Sequence, residues 1–308
     1  MKAAPSVLVI GSSNTDLTVR MDRLPKPGET VLGGHFSTAA GGKGANQAVA
    51  AARAGATVTF IARIGRDPFG DQALVDLAAD GIHLEFVIRD KSTPSGVALI
   101  FVAASGENSI AVASGSNGQL TPADLKKARQ AFVKADALVL QLESPLRSVQ
   151  AAAGMAAATG VPVILNPAPA QMLPKSLWRR ISLLTPNEHE AELLTGITVK
   201  DRSSAASAAA AIHAKGVPNV VITMGSRGAF VSAQGSGKMV PGYKIKPLDS
   251  TAAGDVFTGS LAVALAEGRP LFEAARFANA AAALSVTRLG AQPSAPRRQE
   301  IERWLAHG

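Results

Sequence analysis

"LRSVQAAAGMAAATGVPVILN", residues 146–166, is the stretch on which the fold turns. Its first part, Leu146 to Gly160, is alanine-rich and closes on glycine, as helix C-termini often do. Its second part, Val161 to Asn166, is a continuous apolar run without alternation, the pattern of a strand buried on both faces. A helix that leads straight into such a strand is half of a parallel crossover unit.

The same pairing recurs outward in both directions. "VLVIG" (7–11), "VTFIARIG" (58–65), "ALVLQL" (137–142), "ISLLTP" (181–186) and "NVVITMG" (219–225) read as further buried strands. Between them lie the helical stretches "GANQAVAAARAG", "DQALVDLAADG", "PADLKKARQAFVK", "NEHEAELLTG" and "SSAASAAAAIHAKG". The pattern predicts an α/β fold, a three-layer αβα sandwich with a mostly parallel central sheet. Two segments, about 12–40 and 89–116, lack helical period and carry Gly, Ser and Pro punctuation. They read as extra strands forming a small β-layer at the sheet edge. No composition shift or linker marks a boundary, so residues 1–308 read as one domain.

Composition excludes several classes of function. The chain has 308 residues, 47% of them hydrophobic, enough for a large core. Its net charge of +8 comes from scattered basic residues with few aromatics beside them, which disfavours a nucleic-acid surface. There is no cysteine, hence no disulfide, thiolate metal site or thiol nucleophile, in keeping with a reducing cytoplasm. The opening stretch "MKAAPSVLVIG" has an apolar run too short for a signal-peptide core, and no later run approaches a membrane span. There is no G-x-S-x-G, no H-E-x-x-H, and the first strand ends in "GSSNTD" without the dinucleotide fingerprint G-x-G-x-x-G.

Two glycine- and alanine-rich turns carry the chemistry. "DSTAAGDVFTGSLAVAL", residues 249–265, places the small residues Ala252, Ala253 and Gly254 before a helical period. A helix N-terminus there presents unpaired N–H donors and a partial positive charge to an anion. Asp255 reads either as a helix cap or as a base beside an anion-binding turn. "GGKGAN", residues 41–46, also opens a helix, but it is no P-loop, because Gly44 stands where Ser or Thr should follow Lys43. Asn14 and Asp16 read as an Asx turn or as partners for a ligand. Glu143, ending an apolar strand, reads as a loop acid or as a group at the ligand-binding edge of the sheet.

"GGKGANQA" and "DSTAAGDVFTG", with "GSSNTDL" (11–17), "RIGRDPFG" (63–70), "TPNEHEAELLTG" (185–196), "TMGSRGA" (223–229) and "RFANAAAALSVTRLGAQPS" (276–294) in order between and around them, resemble the ribokinase-like (PfkB) carbohydrate kinase family over essentially the whole chain. The resemblance implies an αβα sandwich with a β-sheet lid, often a homodimer through that lid, and ATP-dependent phosphorylation of a sugar, with D-ribose and its 5-hydroxyl the first expectation. It implies a sugar pocket of Asn14, Asp16, Gly42, Lys43, Asn46 and Glu143, with Gly41 and Gly44 permitting close approach. Asp255 becomes the base, and Ala252, Ala253 and Gly254 the anion-binding turn. ATP falls to Asn187, Thr223, Gly225, Ser226, Gly228, Gly254 and Asn279, and Mg²⁺ to Asn187 and Glu190 through water. An activating K⁺ is implied at Asp249, Thr251, Ser285, Arg288, Gly290 and Ser294, with Arg288 contributing only its carbonyl. A kinase for deoxyribose, fructose or a nucleoside, and a catalytically silent sugar sensor, are the alternatives.

Overall fold

A computed structural model describes residues 3–233 and 236–307. In chain order its strands are β1 (Ser6–Ile10), β2 (Asn14–Met21), β3 (His35–Gly41), β4 (Thr57–Ile61), β5 (Arg63–Gly65), β6 (Ile88–Asp90), β7 (Gly96–Ala103), β8 (Asn108–Ala113), β9 (Ala137–Leu140), β10 (Val163–Leu165), β11 (Leu183–Leu184), β12 (Asn219–Thr223), β13 (Gly228–Ala233) and β14 (Ser236–Pro241). The helices are α1 (Lys43–Arg53), α2 (Pro68–Ala79), α3 (Pro122–Lys127), α4 (Arg129–Lys134), α5 (Leu146–Thr159), α6 (Lys175–Trp178), α7 (Glu188–Thr195), α8 (Arg202–His213), α9 (Ala253–Ala266), α10 (Leu271–Ser285) and α11 (Arg298–His307).

The main sheet runs in the order β14-β13-β12-β11-β10-β9-β1-β4. From β12 to β4 every pairing is parallel, and β13 and β14 close one edge antiparallel. Alternation of side chains divides the strand residues between two cores. Val7, Val9, Phe60 and Val139 pack under α1, α9 and α10, whereas Leu8, Ile10, Leu140 and Leu165 pack under α5 and α8. Both faces being covered is why these strands read as unbroken apolar runs. Each fully buried Val, Leu, Ile or Phe contributes about 1.5–3 kcal/mol.

Two expected elements divide and a third shortens. "VTFIARIG" becomes β4 and β5, because the Arg63 guanidinium donates to Asp90 at 2.6 Å and to Asp124 at 3.1 Å and holds the second half beside β6 and α3. "PADLKKARQAFVK" breaks into α3 and α4 at Ala128, whose φ of −96° and ψ of 19° leave the helical basin. Only Leu183–Leu184 of "ISLLTP" pairs as a strand. Segments 12–40 and 89–116 supply β2, β3, β7 and β8, a second sheet in the order β3-β2-β7-β8. No helix among the described residues is long and apolar enough to cross a membrane.

The contact of α1 with α9 sets the site. On α9, Gly259 comes so close to α1 that an added Cβ would lie 2.5 Å from the Gln47 carbonyl oxygen and 2.8 Å from the Ala50 Cβ. Asp255, one turn earlier on the same face, is thereby brought against the first turn of α1.

Candidate active site

Asp255 stands in the first turn of α9 and is buried. Its Oδ2 accepts from Asn46 Nδ2 at 3.0 Å and its Oδ1 from Gln47 Nε2 at 2.9 Å. Burial pushes this carboxyl above its usual range, against the pull of Lys43 and of the two amide donors, with Glu143 adding to the rise. The helix cap is Ala252, in the left-handed conformation with φ 59° and ψ 10°, so the reading of Asp255 as a cap does not hold. Ala252 is the one non-glycine residue with positive φ among the described residues. That conformation costs about 1–2 kcal/mol for an L-residue, strain of the kind that gathers at functional turns. Of the N–H donors expected to be unpaired in this turn, that of Ala253 is engaged, donating to the Ser250 carbonyl at 3.3 Å. Gly254 faces open space, since an added Cβ would meet nothing within 4 Å.

Asp255 lines a polar cavity of about 190 Å³ together with Lys43, Asn166, Asn187, Glu190 and the turn 252–254. A larger, mainly apolar cavity of about 590 Å³ meets it at Ala253 and Gly254. Thr223, Gly225, Ser226, Gly228, Asn187 and Asn279 all line this second space, as do Tyr243, Ile245 and Phe257. Gly225 and Gly228 have φ of 55° and 94°, and a Cβ on Gly228 would lie 2.2 Å from the Val240 carbonyl oxygen, so glycine is required where the turn crosses β14. Asn279 donates to the Val240 and Pro241 carbonyls, each at 3.2 Å, which fixes its side chain at the cavity wall.

On the other side of Asp255 the second sheet, α1 and the loop after β9 bring together Asn14, Asp16, Lys43, Asn46 and Glu143. Glu143 Oε2 accepts the Lys43 N–H at 2.9 Å and the Ser12 hydroxyl. Asn14 Oδ1 accepts from Asn117 Nδ2 at 2.7 Å. Asp16 is pushed up to about 6, by burial first and then by Glu143 and Asp255, with Lys43 opposing. Burial alone would lower the Lys43 ammonium, but Asp255, Glu143, Glu190 and Asp16 outweigh it and hold the group above its ordinary value. A lysine at the positive end of a helix gains nothing from the dipole, so these carboxylates are what hold it there. Asn46 Oδ1 is buried without a partner among the described residues, an acceptor free for a hydroxyl.

The glycines of "GGKGAN" serve the chain itself. A Cβ on Gly41 would lie 2.5 Å from the Asp16 carboxylate, one on Gly42 2.7 Å from the Asn14 nitrogen, and one on Gly44 2.5 Å from the Ser12 nitrogen. Their smallness lets β1's exit loop and β2 pack against α1.

Asn187 and Glu190 form a reciprocal capping box on α7. Glu190 N–H donates to Asn187 Oδ1 and Asn187 N–H to Glu190 Oε2, each at 2.8 Å. Burial pushes Glu190 above its ordinary range, opposed by that N–H and by Lys43. At the other side of the turn, Asp249 Oδ1 accepts from Thr251 N and Oγ1 at 2.9 and 2.6 Å, and Oδ2 from Gly290 N at 2.9 Å. Burial works against ionisation of Asp249, but these donors prevail and lower it. The Arg288 guanidinium pairs with Glu300, away from the loop. Ser285 and Ser294, both buried, donate their hydroxyls to Ala282 and Ala291 carbonyls and keep oxygen lone pairs available.

Gln47, Asn166, Asn117 and Ser12 also belong to this site, without a motif that singles them out. "N-Q" within "GGKGANQA" was the only local sign, since every partner of Gln47 is far off in sequence.

Residues 4–298 match the profile of the pfkB family carbohydrate kinases. The ribokinase of Haemophilus influenzae is 45% identical over 98% of this chain and 99% of its own length, and that of Bacillus subtilis 42% identical over the same shares. The solved structure of Arabidopsis thaliana ribokinase complexed with ribose and ATP superposes with a TM-score of 0.94 at 34% identity, covering 99% of this chain and 100% of that one. A strained small-residue turn, a buried carboxylate beside it and full-length similarity of this degree have one reading: the chain belongs to the pfkB family of carbohydrate kinases.

Proposed function

We propose that this protein transfers the γ-phosphoryl group of ATP to the 5-hydroxyl of D-ribose, giving ribose 5-phosphate and ADP. The observation that carries the reading is the Asp255 carboxylate, buried where two cavities meet at the first turn of α9. The names of the relatives above support the choice of sugar and nucleotide.

The larger cavity takes ATP, with Asn279 and the 223–228 turn along its wall and the phosphates directed to Gly254. The sugar lies between the lid and α1, its hydroxyls bonded by Asn14, Asp16, Asn46 and Glu143. These are acceptor-rich groups, and an acceptor aimed at a hydroxyl penalises a sugar that lacks it. Asp255 takes the 5-hydroxyl proton as that oxygen attacks the γ-phosphorus, and the bond to the bridging oxygen breaks with its electron pair leaving on ADP. Lys43 and the Gly254 amide of the α9 turn meet the charge on the transferring group. The raised Asp255 is suited to this work, since a stronger base takes the proton more readily. Closure of the lid of this single domain excludes water that would compete as acceptor.

Among the described residues no three His, Cys, Asp or Glu side chains gather as a metal cluster. Mg²⁺ held chiefly by ATP phosphates, with Asn187 and Glu190 reaching it through water, fits that donor set. When bound it would neutralise phosphate charge. The 249–251 loop and the 285–294 segment offer the Asp249 carboxylate, the hydroxyls of Thr251, Ser285 and Ser294, and carbonyls, hard oxygens suited to a monovalent cation such as K⁺, which would stiffen the turn. The lid also joins two copies of the chain, and the cysteine-free composition suits the cytoplasm.

An ADP-release assay over ribose, deoxyribose, fructose and adenosine, with and without K⁺, tests the reading. Ribose gives the highest kcat/KM, K⁺ raises it, and Asp255→Ala lowers turnover roughly 10²–10⁴-fold. ADP release that no sugar stimulates would overturn it.

A further inference from the structure

Behind the Asp255 carboxylate runs a relay of buried amides that starts from a main-chain carbonyl. The Thr185 carbonyl can only accept, so it takes the Asn166 Nδ2 hydrogen at 2.9 Å and fixes which way that amide points. Asn166 Oδ1 is then turned to Gln47 and accepts from Nε2 at 3.2 Å. The second Nε2 hydrogen goes to Asp255 Oδ1 at 2.9 Å. Gln141 Nε2 completes the set by donating to Gln47 Oε1 at 2.6 Å. Every hydrogen and the oxygen of the Gln47 amide are engaged, and the residue is fully buried. Its amide cannot turn over without breaking three bonds at once.

A structural core has no use for such a chain. Gln141 Oε1 is left without a partner among the described residues, a penalty that apolar side chains would avoid. The relay runs from the end of β11 through three elements and terminates on one oxygen of one carboxylate.

We infer that Gln47 is a positioning residue for phosphoryl transfer, holding Asp255 Oδ1 in a fixed orientation through the Thr185–Asn166–Gln47 relay so that the base meets the sugar hydroxyl in one geometry; this rests on Asp255 being the base. Asn46 holds the other oxygen, and the two donors together favour the ionised carboxylate against its burial.

The test compares Gln47→Met and Gln47→Glu with wild type in ADP release with ribose across pH, alongside Asp255→Asn. Loss of the donor in Gln47→Met lowers kcat ~10-fold or more, leaves KM for ATP within about twofold and moves the acidic limb of the kcat profile to higher pH. Gln47→Glu, nearly the same in shape, moves that limb further by placing a second carboxyl beside the first. A lower melting temperature with wild-type kcat and an unmoved limb would overturn the inference, because packing alone predicts that pattern. Should Gln47→Met fail to fold, Asn166→Leu stands in for it: it removes the acceptor that holds Gln47 Nε2 in place while leaving Gln47 and Asp255 themselves, and an unmoved limb there overturns the inference equally. If Asp255→Asn keeps wild-type turnover, the base reading and the relay fall together. If Asp255→Asn is inactive while the Gln47 variants match wild type, the relay alone falls.

Discussion

Asp16 is held in a place that suits a ligand better than it suits the free protein. Its folded pKa of about 6 stands above the ordinary 3.8, so between these values the folded chain binds a proton that the unfolded chain has released. The stability tied to the protonated form is whole below about pH 4 and is lost as pH rises through about 6. The loss amounts to at most ~3 kcal/mol above that range, less where solvent screens the group. Asp16→Asn therefore melts higher than wild type at pH 8 and equal to it at pH 4, while KM for ribose rises because the amide offers a donor where the sugar hydroxyl needs an acceptor. Melting curves at the two pH values check the first part, and a difference constant with pH would count against it. At this scale the sequence shows residues whose meaning is local. Asn187 and Glu190 have the spacing of a capping box and form one. Gln47 is illegible, because its partners Asn166 and Asp255 lie 119 and 208 residues away and a glutamine in an alanine-rich helix has no pattern of its own.

Elements are read from periodicity, and they are read well where both faces are buried. The strands β1, β9, β10 and β12 announce themselves as apolar runs because helices cover them on two sides. Breaks set by tertiary bonds, such as the Arg63 pairs that separate β5 from β4, leave no trace in local pattern. The start of α7 allows a test that separates its two possible uses. Glu190→Gln keeps an oxygen to accept the Asn187 N–H, so the cap survives, and removing a buried charge offsets the bond to Asn187 Nδ2 that is lost. Melting should move by no more than ~1 kcal/mol. If the carboxylate positions Mg²⁺ through water, the Mg²⁺ concentration for half-maximal turnover rises about tenfold or more, the usual effect of losing an outer-sphere partner. A Mg²⁺ titration of ADP release checks this. An unchanged titration would leave Glu190 as a cap and nothing more.

In the whole molecule the lid is where the proposed contact between two copies of the chain is tested. Pairing across β2, β7 and β8 puts Asp16, Ala98 and Val112 in one row, and Thr18, Ile100 and Ile110 in the next row of the same face. Near α1 that face brings Asp16 close to Asp255, Glu143 and Lys43. Farther out it is bare: Ile110 and Val112 are more than half exposed. A second copy of the chain covering this surface would bury apolar side chains and brace the lid over the pocket in one contact. The sequence made the extra strands visible through their punctuation, but not which face they leave open, since alternation shows two sides without saying what lies on either. Ile110→Asp tests the arrangement. In a two-fold contact each change occurs twice, and losing the burial of one isoleucine is worth about 1.5–3 kcal/mol, so dimer dissociation rises roughly 10²-fold or more. The monomer itself loses little, because the residue is exposed in it. Sedimentation equilibrium then finds the variant as a folded monomer at concentrations where wild type is a dimer, with KM for ribose raised and KM for ATP unmoved, since only the lid side of the site has lost its brace. Identical sedimentation of the two proteins would place the contact elsewhere, and a monomeric variant with unaltered KM for ribose would separate the dimer from the lid's closure.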